Sequence, residues 1–74
     1  MSKLPRGLPY KRVVAALKRA GFYIRRQRGS HIIMRRDSPF AQVVVPAHSS
    51  IDTGTLGSIL ESAGWTAEEL IELL

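Results

Sequence analysis

The chain contains no cysteine among its 74 residues. Disulfides, thiolate nucleophiles and thiolate metal sites are therefore excluded. No apolar run approaches the roughly 18 residues that a membrane-spanning helix requires. The first ten residues also lack the apolar block of a secretory signal. We therefore expect a soluble protein of the cytoplasm that does not bind a membrane.

The chain is also short. Its 74 residues predict a single domain over residues 1–74, with residues 1–8 as a flexible basic arm. A chain of this size buries only about 60–65% of its unfolded surface, which excludes large doubly wound sheets, barrels and long clefts. A binding module remains, or an enzyme whose substrate brings most of the chemistry.

Acidic residues are scarce in the first half of the chain. The sequence has 11 Lys and Arg and 6 Asp and Glu, for a net charge of +5. Every basic residue lies between Lys3 and Arg36, and every acidic residue lies between Asp37 and Glu72. Such a dense basic half is typical of proteins that bind polyanions such as nucleic acid. A basic composition that serves solubility alone is the other interpretation.

Two amphipathic helices and a short third one are predicted. Residues 9–20 form the first, because its apolar residues recur at helical spacing. These residues are Tyr10, Val13, Val14 and Leu17. Residues 55–63 form the second. Thr66 and Glu69 have the spacing of a capping box, which predicts a last helix that ends at Leu74.

Between the helices, three strands are predicted over residues 22–27, 31–36 and 41–45. The turn sequences Arg28-Gly29-Ser30 and Asp37-Ser38-Pro39 connect them. Strands joined by such short turns form an antiparallel meander. We therefore predict an α+β fold of the order α-β-β-β-α, with a short extra helix at the C-terminus. Its helices pack on one face of a three-stranded sheet, as in double-stranded-RNA-binding domains.

The predicted hairpin around Gly29 gathers arginines near His31. Exposed guanidinium groups match the oxygens of a phosphate, and residues of the turn are placed to add backbone N–H groups or a hydroxyl. The candidates for contacts with RNA are Arg26, Arg28, Gly29, Ser30 and Arg35.

His31 is the candidate catalytic residue. Histidine ordinarily titrates near pH 6.5 and can carry a proton at neutral pH. RNA supplies its own nucleophile, the 2′-hydroxyl, so one histidine and a nearby cation suffice for cleavage. The other interpretation is that His31 is an ordinary strand residue and that the arginines only bind. His48, in a loop, is either an auxiliary residue or a capping residue.

Neither a metal site nor a base-stacking platform is predicted. The two histidines have no carboxylate close to them in sequence and make a poor ligand set. The aromatic residues are few and scattered, so we interpret them mainly as core residues or as part of a hydrophobic staple. They are Tyr10, Phe22, Tyr23, Phe40 and Trp65.

Four stretches of the chain resemble the HicA (YcfA-like) toxins of bacterial type II toxin–antitoxin systems. They are Ala20-Gly21-Phe22, Gly29-Ser30-His31, the run from Val43 to His48, and the run from Gly54 to Leu60 followed by Ala63-Gly64. Together they cover nearly the whole chain from about residue 9. Ile32 stands where many members of the family have a second histidine.

The resemblance implies an mRNA interferase, an endoribonuclease that cleaves mRNA without a metal or another cofactor. It places the catalytic histidine at His31. It also implies a HicB-like antitoxin that covers the active site, with operator DNA bound only through that antitoxin. A non-catalytic RNA-binding module on the same fold and a protein-interaction domain are the alternative hypotheses.

Overall fold

Three helices and three strands make up the fold of residues 4–74, the part of the chain that the computed structural model describes. Their order is α1 (Tyr10–Arg19), β1 (Tyr23–Arg28), β2 (His31–Asp37), β3 (Phe40–Pro46), α2 (Thr53–Ala63) and α3 (Ala67–Leu73). This order confirms the predicted α+β fold. None of the described helices is long and apolar enough to cross a membrane.

The strands form one antiparallel sheet in the order β1-β2-β3. The register places His31 beside Arg28 on one side and Pro46 on the other. A β-bulge at Arg25 shifts the pairing of β1 between Ile24 and Arg26. The bulge moves the side chains of Arg26 and Arg28 onto the same face as His31, because residues directly opposite each other share a face of the sheet.

One face of the sheet carries the core and the other faces solvent. The strand residues on the core face are Ile32, Met34, Ala41, Val43 and Val45. The helix residues packed with them include Val13, Ala16, Leu17, Leu56, Ile59, Leu60 and Leu70. The opposite face carries Tyr23, Arg26, Arg28, His31, Ile33, Arg35, Asp37, Phe40, Gln42 and Val44. We call this second surface the open face.

The predicted arm is anchored to the domain at its C-terminal end. Leu8 is only 6% exposed, and its carbonyl accepts a hydrogen bond of 2.7 Å from the backbone N–H of Ile51. Leu4 also packs against the core. These residues are therefore not free, because burial of their apolar side chains holds them against the helices. Residues 1–3 of the predicted arm lie outside the described residues.

Side-chain caps define the starts of the last two helices. Asp52 accepts hydrogen bonds from the backbone N–H of Thr55 at 3.2 Å and from its hydroxyl at 2.6 Å. Because Asp52 is the N-cap, α2 begins at Thr53 rather than at the predicted residue 55. The predicted capping box at the start of α3 is confirmed, with reciprocal hydrogen bonds between Thr66 and Glu69 of 3.0 and 3.2 Å.

Truncation of the core should destabilise this small domain strongly. Leu17 and Leu60 are 0% and 5% exposed, so Leu17→Ala or Leu60→Ala should each lower the free energy of unfolding by about 2–5 kcal/mol. Ile71→Ala, at a side chain that is 44% exposed, is the matched control and should change it by less than about 1 kcal/mol. Urea denaturation followed by circular dichroism measures the difference. Losses below about 1 kcal/mol for both leucine variants would contradict the core described here.

The Asp52 cap should make stability depend on pH. Hydrogen bonds from the hydroxyl and the backbone N–H of Thr55 lower the pKa of the Asp52 carboxyl below its ordinary value. Because the carboxyl has a lower pKa in the folded protein than in the unfolded chain, the ionised Asp52 stabilises the fold above the unfolded pKa of about 3.9. This stabilisation is lost as the pH falls through the pKa of the folded protein. Asp52→Ala should therefore lower the Tm at pH 7, and the difference from the wild type should shrink below about pH 4. Thermal melts across this range measure it, and a difference independent of pH would contradict the assigned cause.

Candidate functional site

The turn between β1 and β2 brings Arg28 and His31 side by side. Gly29 adopts a left-handed backbone with a φ of 57°, which lets the chain reverse within two residues. The carbonyl of Ser30 accepts a hydrogen bond of 2.6 Å from the backbone N–H of Ala47, which connects the turn to the end of β3. The turn is therefore held by the third strand, and it fixes the positions of its two flanking side chains.

His31 lies on the open face and its side chain is exposed. The sequence left open which face of β2 carries it. The structure decides this because Ile32 and Met34 are buried against the helices, so the alternate residues His31, Ile33 and Arg35 point outward. The imidazole is thus accessible to a large substrate, and its cross-strand neighbour is Arg28.

Two of the predicted phosphate-binding arginines lie near His31. Arg28 is directly opposite it, and Arg26 is opposite Ile33, two positions further along the same face. Both side chains are exposed, and neither forms a hydrogen bond or an ion pair with a described residue. Gly29 and Ser30 are exposed at the adjoining turn. We call Arg26, Arg28, Gly29, Ser30 and His31 the hairpin cluster.

Arg35 does not belong to the hairpin cluster. It shares the open face with His31 but lies four positions further along β2, which is about 13 Å at the rise of a strand. Its Nη2 donates to the side-chain oxygen of Gln42 at 3.3 Å, and its Cζ lies 5.6 Å from the centre of the Phe40 ring. Its Nε is buried and has no hydrogen-bond partner among the described residues. The expectation that Arg35 gathers around His31 is therefore wrong, because the strand carries it away from the turn.

The two remaining arginines of β1 and β2 lie outside the hairpin cluster. Arg36 points to the core side, where its Cζ lies 4.7 Å from the centre of the Phe22 ring and its Nε donates to the carbonyl of Pro39 at 3.0 Å. Arg25 occupies the bulge of β1.

Two aromatic residues that are predicted mainly as core residues are exposed on the open face. Phe40 is 66% exposed and Tyr23 is 40% exposed. The Tyr23 hydroxyl donates to the Asp37 carboxylate at 3.0 and 3.2 Å. The interpretation as core holds for Phe22, which is buried and forms a T-shaped contact with Trp65. The alternation of side chains along a strand predicts the exposure of Phe40. This residue directly precedes the buried Ala41 and therefore lies on the opposite face of the sheet.

His48 lies in the loop that follows β3, with its side chain exposed. Its backbone has a structural role, since its carbonyl accepts a hydrogen bond of 3.1 Å from the N–H of Tyr10 at the start of α1. Pro46, two residues earlier, is the strand partner of His31. His48 thus follows the edge of the hairpin cluster but is not paired with His31. Within residues 4–74, no three His, Asp or Glu side chains are grouped as a metal site.

Comparison with known proteins identifies the family. The family model described as "HicA toxin of bacterial toxin-antitoxin" matches residues 10–65. The match runs from the start of α1 through all three strands and α2, and it contains the whole hairpin cluster. A search of curated proteins finds no match to the chain. Because the matched segment covers well over half of the sequence, the chain belongs to the HicA toxin family of bacterial toxin–antitoxin systems.

Proposed function

We propose that the chain is an endoribonuclease that cleaves mRNA without a metal, with His31 as its general acid or base. The observation that carries the proposal is the cross-strand pair at the turn. An exposed imidazole stands opposite Arg28, whose guanidinium has no protein partner among the described residues. Membership of a toxin family agrees with an activity that harms the cell.

The proposed substrate is a single-stranded segment of mRNA that lies across the open face. Arg28 and Arg26 bind phosphates next to His31, and Arg35 binds the strand further along. The backbone and the hydroxyl of Ser30, with the backbone of Gly29, are exposed at the turn for a contact with the same phosphate. Guanidinium groups suit this role because their planar forks bind two phosphate oxygens at once.

The proposed reaction uses the nucleophile within RNA. The 2′-hydroxyl oxygen forms a bond to the adjacent phosphorus as its proton leaves to a base, and the bond from phosphorus to the 5′-oxygen breaks as that oxygen gains a proton. The products carry a 2′,3′-cyclic phosphate and a 5′-hydroxyl. His31 performs one of the two proton transfers and water performs the other. Arg28 stabilises the negative charge that builds up on the phosphate oxygens in the transition state.

The proposal includes control by a partner. A HicB-like antitoxin in the cytoplasm is expected to cover the open face and so exclude RNA from His31. Contact with operator DNA is assigned to the antitoxin in that complex. The family assignment supports an antitoxin partner.

Removal of the imidazole should separate cleavage from binding. His31 is exposed, so His31→Ala should fold normally and bind RNA, while cleavage falls by about 10²–10⁴-fold because proton transfer is lost. Growth arrest on expression in bacteria should disappear as well. His48→Ala removes the other imidazole, which is not paired with His31, and should leave cleavage nearly unchanged unless His48 has the auxiliary role. A gel assay of RNA cleavage, with anisotropy for binding, measures both properties. Full cleavage by His31→Ala would reject the catalytic role and favour a non-catalytic RNA-binding module.

The salt dependence of RNA binding should measure how many arginines of the open face contact phosphates. Three arginine–phosphate contacts on single-stranded RNA predict that log K falls with log salt at a slope of about −2. Arg28→Gln should weaken this slope by about 0.7. Arg12→Gln, on the exposed side of α1, is the charge-matched control and should leave it unchanged. Anisotropy titrations at several salt concentrations measure the slope. Equal slopes for both variants would reject the open face as the RNA-binding surface.

A further inference from the structure

The far end of the open face holds the most exposed large apolar side chain of residues 4–74. Phe40 is 66% exposed, whereas the other exposed large apolar residues of this part of the chain are 40–48% exposed. It does not contribute to the core described above, and the hairpin cluster lies at the other end of the sheet. Neither the core nor the hairpin cluster therefore accounts for its exposure.

Arg35 and Gln42 form a polar border beside the Phe40 ring. The guanidinium of Arg35 is half-buried, with its Cζ 5.6 Å from the ring centre, and it donates to the carbonyl oxygen of the Gln42 side chain at 3.3 Å. That contact turns the side-chain –NH₂ of Gln42 away from Arg35. This –NH₂ is exposed and has no partner among the described residues.

This combination fits a nucleobase better than a protein side chain. A base offers a flat π surface to stack on an aromatic ring and edge acceptors for an amide donor. The ring is bordered by a cation and an amide, which suit a base, and the test below separates a stacked base from a contact with the antitoxin. The Asp37 carboxylate, on the strand partner of Phe40, accepts hydrogen bonds from the Tyr23 hydroxyl at 3.0 and 3.2 Å.

The distance to His31 sets where such a base lies on the strand. Phe40 pairs with Asp37, six positions along β2 from His31, which corresponds to about 20 Å. A stacked nucleic-acid strand advances about 3.4 Å per phosphate, and we take roughly twice that spacing for an extended strand. The ring is therefore about three to six nucleotides from the phosphate at His31. The side chains of Ile33 and Val44 lie between, on the same face.

We propose that Phe40, Arg35 and Gln42 form a nucleobase-binding subsite that holds a base of the RNA strand about three to six nucleotides from the scissile phosphate. The proposal rests on the function proposed above. It makes this end of the open face a determinant of substrate length and of base preference, separate from the hairpin cluster.

The test compares Phe40→Ala with Phe40→Leu and Phe40→Trp on a ten-nucleotide RNA and on a trinucleotide. With the longer RNA, Phe40→Ala and Phe40→Leu should raise KM about tenfold with kcat unchanged, because both lose the stacking surface. Phe40→Trp should keep or lower KM. The trinucleotide is too short to reach the ring and should be cleaved equally by all variants. Ile71→Ala, an exposed apolar residue of α3, is the control.

Binding of a ten-nucleotide 2′-O-methyl RNA, which lacks the nucleophile, is measured in parallel by anisotropy. If the wild type cleaves RNA and Phe40→Ala leaves KM and binding unchanged, the subsite is rejected and the nuclease remains. If the wild type does not cleave but Phe40→Ala weakens binding about tenfold, the subsite stands and the nuclease is rejected. If Phe40→Ala weakens only binding of the antitoxin, the ring is a protein contact and the subsite is rejected.

Discussion

The burial of Ile32 and Met34 against the helices determines where every functional side chain of β2 points. A strand alternates its side chains, and a slip of one residue in the register would exchange the two faces completely. With Ile32 and Met34 inside, His31 and Arg35 are outside. The placement of the imidazole is therefore a consequence of core packing and requires no hydrogen bond of its own.

The general architecture follows from local patterns in the sequence, but the face of β2 does not. Helical spacing predicts α1, Gly29 predicts the tight turn, and the Thr66–Glu69 pair predicts the cap of α3. On β2, however, both alternate sets contain apolar residues, since Ile33 lies between His31 and Arg35. Only the long-range packing of β3 and the helices selects the buried set, and that selection is not a property of the strand itself.

The errors at the far end of the site have the same physical origin. The predicted third strand begins at residue 41 and so leaves Phe40 out. In the structure β3 begins at Phe40, whose side chain lies on the face opposite that of the buried Ala41. Arg35 and His31 are close in sequence, which favours the prediction that they lie together. The rise of the strand nevertheless separates them by about 13 Å. Both errors concern distance and direction along a strand, which composition does not encode.

In the proposed function, His31 catalyses at the protein surface, under conditions different from those of an enzyme cleft. Charges at a protein surface interact through water, so a guanidinium there stabilises a transition state less than one in a dry pocket does. At such a site, further stabilisation of the transition state at one phosphate adds little to the rate of cleavage. Contacts spread along the bound strand contribute more, because each one adds binding free energy without requiring a buried cavity. The separation of the hairpin cluster from Arg35 and Phe40 is the geometry that this constraint favours. In the proposed function, one end of the open face transfers protons and the other end holds the substrate.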